Sequence, residues 1–425
     1  MLLLIGISGC QNLVGFGSWG LGQQESKPLL ETVESHRFLL GSDTQIVGEL
    51  VSVYSRGTDT LPDIGRHFGL GFNDIIDANS EIDIWLPKAG SRVVLPLQFV
   101  LPDAERNGIV LNLPNMRLFH FVRTADGRNV EVLTYPVGIG REGWSTPVGK
   151  SRIVEKRANP TWTVPESIRR EHAADGDPLP RVVKAGPENP LGQYAMRLSL
   201  PSYLIHGTNK PYGVGMRISH GCVRLYPENI EPLFKSVKVG TPVNIVNQPY
   251  LLGWRGGMLY LEAHKPLETR AADLKALRTE LDQKIAEAIG KTQASVDLDK
   301  IDKILRQANG IPTPILEHSP RLRRLLKEAT VIRHPRSFYG APQTPPLQAG
   351  NWSAVAGTFR SKSDAEKLAR VLQHQGPSIP SRVHAAGGGY QVILGPFMSE
   401  KEADLTRRRL SREFALDISL IRPTL

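Results

Sequence analysis

The sequence predicts a multidomain protein: a small α+β unit, a mainly-β central domain and a ferredoxin-like α+β domain at the C-terminal end. Three observations predict it. The chain has 425 residues with 32 prolines and 40 glycines, too long for one hydrophobic core and rich in residues that suit connections. Between Asn107 and Val246, short apolar runs are separated by Asn-Gly, Pro-Asn and Asp-Gly-Arg turn signals, a strand pattern with one late helix, Pro227 to Val237. In the last 75 residues, Trp352, Gly357, Phe359, Ser361, Ala365 and Leu372 recur as Tyr390, Gly395, Phe397, Ser399, Ala403 and Leu410, each 38 positions later.

Composition narrows the class. Forty per cent hydrophobic and 22% charged residues exclude a disordered or collagen-like chain. Beyond the first few residues there is no run of about 18 uncharged apolar residues, which excludes a polytopic membrane protein and confines membrane contact to the N-terminus. The 52 basic and 42 acidic residues leave +10, part of it at Arg321, Arg323, Arg324, Lys327, Arg333 and Arg336 against only Glu317 and Glu328. A solvated connector accounts for that run, so no nucleic-acid partner is expected; a nucleic-acid-binding arm is the alternative. Two cysteines, Cys10 and Cys222, cannot make a disulfide scaffold, and each needs its own explanation.

Residues Met1 to Ile7 are apolar, and Ser8-Gly9 places two small residues before Cys10. A frayed apolar tail is the plain reading. The pattern also resembles a bacterial lipoprotein box, which implies a signal over residues 1–10, lipidation of Cys10 and a lipid-anchored periplasmic protein. Gln11 departs from the aspartate that resembles an inner-membrane retention signal, so the outer membrane is expected. Residues 11–48 read as a tether.

Residues 49–98 form the first unit. Val51 and Val53 alternate, Leu61, Ile64 and Phe68 fall at helical spacing before Gly69, and Ile75, Ile76 and Asn79 precede a strand at Arg92 to Pro96. With Gly57 to Leu61 at a helix start and Leu86-Pro87 before Gly90, this order resembles a LysM domain, which implies binding to peptidoglycan glycan strands. An unrelated α+β cap packed on the next domain is the alternative.

Residues 107–247 form the central domain, with strands expected at Ile109–Leu113, Met116–Val122, Val130–Val137, Ser151–Lys156 and Tyr203–His206. Gly138, Gly140 and Gly143 match G-x-G-x-x-G after a strand, but Ser145-Thr146-Pro147 stands where a nucleotide-binding helix must begin, so no dinucleotide is expected. Residues 248–310 read as a helical extension with amphipathic helices at Ala271–Ile289 and Leu298–Ala308, stopped by Asn309-Gly310. Residues 311–349 read as a basic, proline-rich linker.

In residues 350–423 each copy of the repeat reads strand then helix, with capping boxes at Ser363 and Glu366 and at Ser399 and Glu402, and a last strand at Asp417–Ile421. The segment resembles a SPOR domain, which implies glycan binding on the open sheet face, with Thr358 and Gln391 as the glycan-binding positions. That family often has Gln where Val355 stands and Arg where Gln391 stands, so weak binding is expected.

Ser219-His220-Gly221-Cys222-Val223-Arg224 carries the chemistry, with His206 ending an apolar strand 16 residues before Cys222. A thiol becomes nucleophilic when an imidazole takes its proton or stabilises its thiolate, and the glycine-rich Thr208–Ile218 loop can bring the two together. The amides of Gly221 and Cys222 are the expected oxyanion donors. Three alternatives compete: a buried structural cysteine, a zinc site on His206, His220 and Cys222 that lacks a fourth ligand, and a redox thiol that lacks a resolving cysteine.

With Ser145-Thr146-Pro147-Val148-Gly149 upstream and Gly240-Thr241-Pro242-Val243 at the end, these residues resemble the L,D-transpeptidase catalytic domain of YkuD type over about 140 residues, in an arrangement similar to ErfK-type periplasmic enzymes. The resemblance implies that Cys222 is the nucleophile, His206 the general base and the Gly207 carbonyl its orienting group, with Ser219, His220, Gly221 and Arg224 in support. It implies attack on the third residue of a tetrapeptide stem, release of D-alanine, and an acceptor amine from another stem or from a lysine of an outer-membrane lipoprotein. Neither cofactor nor metal is required. A hydrolase of the same fold and a non-catalytic wall-binding scaffold are the alternatives.

Overall fold

The computed structural model describes residues 36–174, 178–267, 270–290, 292, 294–376 and 378–423. Cys10 and the tract through Gly22 lie outside the described residues. The tether expected through residue 48 stops earlier: β1 (Arg37–Leu40) is an edge strand of the central sheet, paired with residues 130–133 and anchored by the buried Leu40.

The first unit has the expected order, β2 (Ile46–Tyr54), α1 (Leu61–His67), α2 (Phe72–Asp77) and β3 (Arg92–Val100), with its two strands antiparallel. Thr60 caps α1, its Oγ1 accepting from Asp63 N at 3.1 Å, and Pro62 suits a first turn that needs no N–H. Asn79, just past α2, donates to Ile75 O and Val94 O and accepts from Val94 N at 2.7 Å, which joins the helix end to β3.

The central domain runs through β4 (Gly108–Asn112), β5 (Arg117–Arg123), β6 (Val130–Pro136), β7 (Ile139–Gly140), β8 (Gly149–Ala158), β9 (Trp162–Thr163), α3 (Glu166–Ala174), β10 (Val182–Val183), β11 (Tyr194–Leu198), β12 (Leu204–His206), β13 (Arg217–Ser219), β14 (Val223–Arg224), α4 (Pro227–Ser236) and β15 (Pro242–Val246). Nine strands form one sheet in the order β1-β6-β5-β4-β15-β8-β11-β12-β14. Its middle strands are buried on both faces. Ile109 and Leu111 of β4 join the core under α4, whereas Val110, with Phe119, Phe121 and Val132, packs against Leu61, Ile64, Ile75 and Leu95 of the first unit. The first unit therefore shares a core with the central domain.

The domain holds a second helix that its sequence does not announce. Only Ile168 of α3 is buried, so no apolar stripe marks the helix, and prolines precede it at positions 160 and 165. The element that follows Gly143 is the strand β8, not a helix.

The extension is not purely helical. A hairpin of β16 (Tyr250–Arg255) and β17 (Met258–Ala263) packs with α5 (Ala271–Ile289) and α6 (Leu298–Gln307), and β18 (Thr313–Pro314) adds to the hairpin. The helices stand where periodicity put them; the strands are six residues each and bury their apolar face only once those helices cover it.

The expected linker is also structured. After α7 (Leu322–Glu328), β19 (Thr330–Val331) adds in parallel to the free edge of β2, and Arg92 donates to Lys327 O at 3.1 Å and Ala329 O at 2.5 Å. His334 Nε2 lies 2.9 Å from Asp59 Oδ2. An unpaired strand edge recruits chain, which the linker's composition does not reveal.

The C-terminal domain realises the repeat as β20 (Trp352–Phe359), α8 (Lys362–Gln373), β21 (Ser381–Ala386), β22 (Gly389–Phe397), α9 (Glu400–Phe414) and β23 (Ser419–Ile421), in sheet order β21-β22-β20-β23. Ser361, not Ser363, caps α8 by accepting from Asp364 N, because the helix begins at Lys362; Ser399 caps α9 as expected. This domain docks on the first unit. His374 Nε2 lies 3.0 Å from the buried Asp63 carboxylate, beside Trp85 and Tyr212, and Lys367 pairs with Asp83 at 2.7 Å.

Candidate active site

Two short parallel strands carry His206 and the end of the turn that presents Cys222. β12 and β14 are neighbours, with Ile205 opposite Val223 and His206 opposite Arg224. Ile205 and Val223 face the core, so by strand alternation His206, Cys222 and Arg224 lie on the other face. The Thr208–Ile218 segment returns through a tight turn at Pro211–Gly213, as its glycines suggested.

His206 is 3% exposed, and its Nδ1 lies 2.6 Å from the Gly207 carbonyl. A carbonyl only accepts, so Nδ1 carries the proton and Nε2 keeps its lone pair. Burial first, then the neighbouring Arg224 cation, hold the imidazole pKa down at about 3, against the upward pull of the Gly207 and Leu191 carbonyls. Burial pushes the Cys222 thiol up, while Leu204 N–H and Arg224 pull it down less strongly. The resting pair is a neutral thiol and a neutral imidazole. The thiol itself contacts Ser202 O at 3.7 Å. Arg224 is held low by burial, and its Nε finds no partner among the described residues.

The turn that presents Cys222 is held at each residue. Ser219 Oγ donates to Cys222 O at 2.5 Å and accepts from Gly221 N at 3.2 Å. This corrects the expectation that Gly221 N–H is a free oxyanion donor; of the two amides, Cys222 N–H is the one Ser219 does not engage. Gly221 has φ +100°, and a Cβ there would sit 2.7 Å from the Tyr203 ring. Gly140 of the misleading glycine motif packs on this turn, where a Cβ would meet Trp144 O at 2.0 Å and Gly221 Cα at 3.0 Å.

Four contributors escaped the residue-by-residue reading. Thr146 Oγ1 donates to Gly221 O at 2.8 Å and accepts from Gly140 N at 3.1 Å; its place in Ser-Thr-Pro-Val-Gly was the available signal. Trp144 stacks edge-on against His220 with ring centroids 4.9 Å apart. Glu171 of α3 pairs with Arg141 and lies 3.0 Å from His220 Nε2, which is also 3.2 Å from Arg141 Nη2. Nothing in the sequence around Glu171 singled it out. Hydrogen bonds from Arg141 hold the Glu171 carboxyl below the usual range, with His220 adding to it, and burial lowers the His220 pKa against the opposing pull of Glu171.

No group of three or more His, Cys, Asp or Glu side chains suited to a metal ion occurs among the described residues. The two positions expected to bind glycan are cross-strand partners: Thr358 pairs with Gln391, which also faces His384, on the side of the sheet away from Val392 and Leu394 of the core. No helix among the described residues is long and apolar enough to cross a membrane.

Residues 106–245 match the family model described as the L,D-transpeptidase catalytic domain, YkuD, and residues 348–415 match the SPOR domain. The chain is 37% identical over 281 residues to the probable L,D-transpeptidase YcfS of Escherichia coli, covering 65% of this chain and 86% of that protein. It is 36% identical over 289 residues to the probable L,D-transpeptidase ErfK/SrfK of the same organism, covering 66% and 90%. A solved catalytic domain of the E. faecium L,D-transpeptidase matches 34% of this chain and all of that one at 24% identity, with a TM-score of 0.25.

Proposed function

The chain belongs to the L,D-transpeptidase family, and from that premise we propose that it is a peptidoglycan L,D-transpeptidase whose nucleophile is Cys222 and whose general base is His206. The observation that carries the assignment is the shared strand face of Cys222 and His206 together with the Nδ1–Gly207 contact, which leaves Nε2 free to take a proton. Cys222 Sγ attacks the carbonyl of the third stem residue as its proton passes to His206 Nε2, so attack and proton transfer are coupled. The Cys222 N–H is placed to stabilise the oxyanion. Collapse breaks the amide bond, and D-alanine leaves with the proton from His206 on its amine. The thioester is then attacked by an acceptor amine, which loses a proton to His206, and the thiol is restored. Arg224, with its free Nε beside Cys222, suits a substrate carboxylate. Neither cofactor nor metal takes part in this sequence.

The test is acylation of Cys222 by a carbapenem, read by mass spectrometry, alongside muropeptide profiles. Cys222→Ala should abolish the adduct and the new cross-links, and His206→Ala should slow acylation by on the order of a hundredfold. An adduct on another residue, or an unchanged muropeptide profile in Cys222→Ala, refutes the assignment. The acceptor is read from the same profiles as a stem, a lipoprotein lysine, or water for a hydrolase.

The flanking modules fit a wall-associated, periplasmic location. Lipidation of Cys10, and through it an outer-membrane anchor, is checked by palmitate labelling; label retained in Cys10→Ala defeats it. Glycan binding by the SPOR domain, weak because Val355 and Gln391 depart from the common pattern, is checked by retention on sacculi, and equal retention with and without amidase treatment counts against it. The LysM-like order of the first unit supports glycan binding there too. Its loops at Asp59, Thr60 and Asp83 already contact His334, His374 and Lys367, so a glycan on them must displace the C-terminal half of the chain.

A further inference from the structure

The segment Thr208–Ile218 is the chain between the two proposed reactive residues. It leaves His206 and Gly207 at the end of β12 and returns through β13 to Ser219 and Cys222. Its second half is tied down by backbone. Val214 O and Gly215 O accept from Phe72 N and Asn73 N at the start of α2, and Met216 O accepts from Ile139 N of β7. Its first half reaches the first unit through Tyr212, whose hydroxyl donates to Asp63 Oδ1 at 2.9 Å.

The Asp63 carboxylate on α1 is buried, and its other oxygen meets two more donors, Thr60 Oγ1 at 2.7 Å and His374 Nε2 at 3.0 Å. His374 closes α8 of the C-terminal domain. Its Nδ1 lies 2.7 Å from Arg370 O, so both ring nitrogens face acceptors and both donate. Burial pushes the Asp63 carboxyl up, but the bonds from His374, Thr60 and Tyr212 outweigh it and hold the group below its usual range. The His374 ring also packs on Tyr212, with centroids 4.3 Å apart, and on Trp85 at 5.3 Å. Two residues on, Gly376 meets the segment directly, since a Cβ there would sit 2.7 Å from Lys210 Cα. The C-terminal domain thus touches the first half of the segment at both Tyr212 and Lys210.

We infer that the C-terminal domain, docked through α8, is a brace on the reaction centre, and that Tyr212, Asp63 and His374 are positioning residues for His206 and Cys222. The inference rests on that pair being the reactive one. The segment sets how the base stands to the nucleophile, and an error of about 1 Å there lowers a rate by roughly a hundredfold. With the domain undocked, Asp63 loses the His374 donor and Tyr212 loses the ring it packs on. The first half of the segment can then shift against the second. Docking leaves the open sheet face of the domain available, because α8 packs on the core side with Val392 and Leu394, opposite Thr358 and Gln391.

The experiment follows single-turnover acylation of the full chain by a carbapenem, with hydrogen–deuterium exchange of residues 208–218 on the same samples. Tyr212→Phe keeps the ring and removes the hydroxyl. It should slow acylation by about tenfold, the value of one hydrogen bond to a charged group, while carbapenem binding before acylation stays within about twofold. His374→Ala should slow acylation at least as much and speed exchange in residues 208–218, with β4, β5 and β6 unchanged. The double variant should be no slower than the slower single one, because both changes break one brace. Acylation within twofold of wild type in either single variant, unchanged exchange of 208–218 in His374→Ala, or multiplied effects in the double variant would each overturn the inference. A general loss of fold in His374→Ala shows itself as faster exchange throughout β4 to β6, and Tyr212→Phe then decides alone. If the wild type forms no adduct on Cys222, the assignment of the reactive pair falls, and exchange in 208–218 still decides whether the domain braces the segment.

Discussion

Thr146 is the residue on which the shape of the Cys222 turn most directly depends. Its hydroxyl lies between strand β7 and the turn, accepting from Gly140 N and donating to Gly221 O, and the side chain is 5% exposed. Thr146→Val keeps the volume and removes both bonds. Gly140 N–H and Gly221 C=O are then left buried, and each group without a partner costs about 1–3 kcal/mol, for a total of about 2–6 kcal/mol if neither finds water. Part of that loss appears as a lower melting temperature. The rest appears as a looser turn, and a misplacement of the nucleophile by about 1 Å lowers a rate by roughly a hundredfold. Thr146→Ser keeps the hydroxyl and loses one methyl group, so it should cost only about 1 kcal/mol and acylate close to the wild-type rate. The assay is the rate of carbapenem acylation by mass spectrometry, with thermal unfolding measured on the same samples. Acylation of Thr146→Val within twofold of wild type, or equal loss in Thr146→Ser, refutes the role of the hydroxyl.

Glu171→Gln removes the carboxylate that raises the His220 pKa while the opposing effect of burial remains, so the His220 midpoint followed by NMR should move down; an upward or absent shift shows that Glu171 does not govern that ring. Acid should destabilise the fold through histidines that are buried neutral: His36 and His120 are held at about 4 and His206 at about 3, each chiefly by burial. Because these values lie below the unfolded value of about 6.5, the unfolded chain binds protons first. Stability is complete above that value and falls as pH drops toward 4, by several kcal/mol in sum at the order-of-magnitude level. A melting temperature that stays flat from pH 6.5 to 4 in a buffer series contradicts it.

How much was legible in the sequence follows from the range of the interactions involved. The repeat of the C-terminal domain, the order of the first unit, the helices at Ala271 and Leu298 and the run from His206 to Arg224 that lies on two neighbouring strands were all readable. Periodicity and caps act within a few turns, and the residue types that do chemistry are rare and closely spaced. The contacts beyond that range were not. Glu171 reaches His220 across 49 positions from a helix with one buried residue, so neither spacing nor an apolar stripe could mark it. Gly140 was set aside as a phosphate-binding glycine from its context, but spacing alone does not say what backbone approaches it; the tertiary fold brings the Gly221 turn there. The connector after residue 311 looked solvated because its composition is basic, yet the open edge of β2 offered it hydrogen bonds that a local reading cannot see. What the sequence determined by itself was the motif around Cys222 and the local elements that carry it. What only the tertiary structure decided was which distant backbone groups hold that turn, because burial is a property of the whole chain.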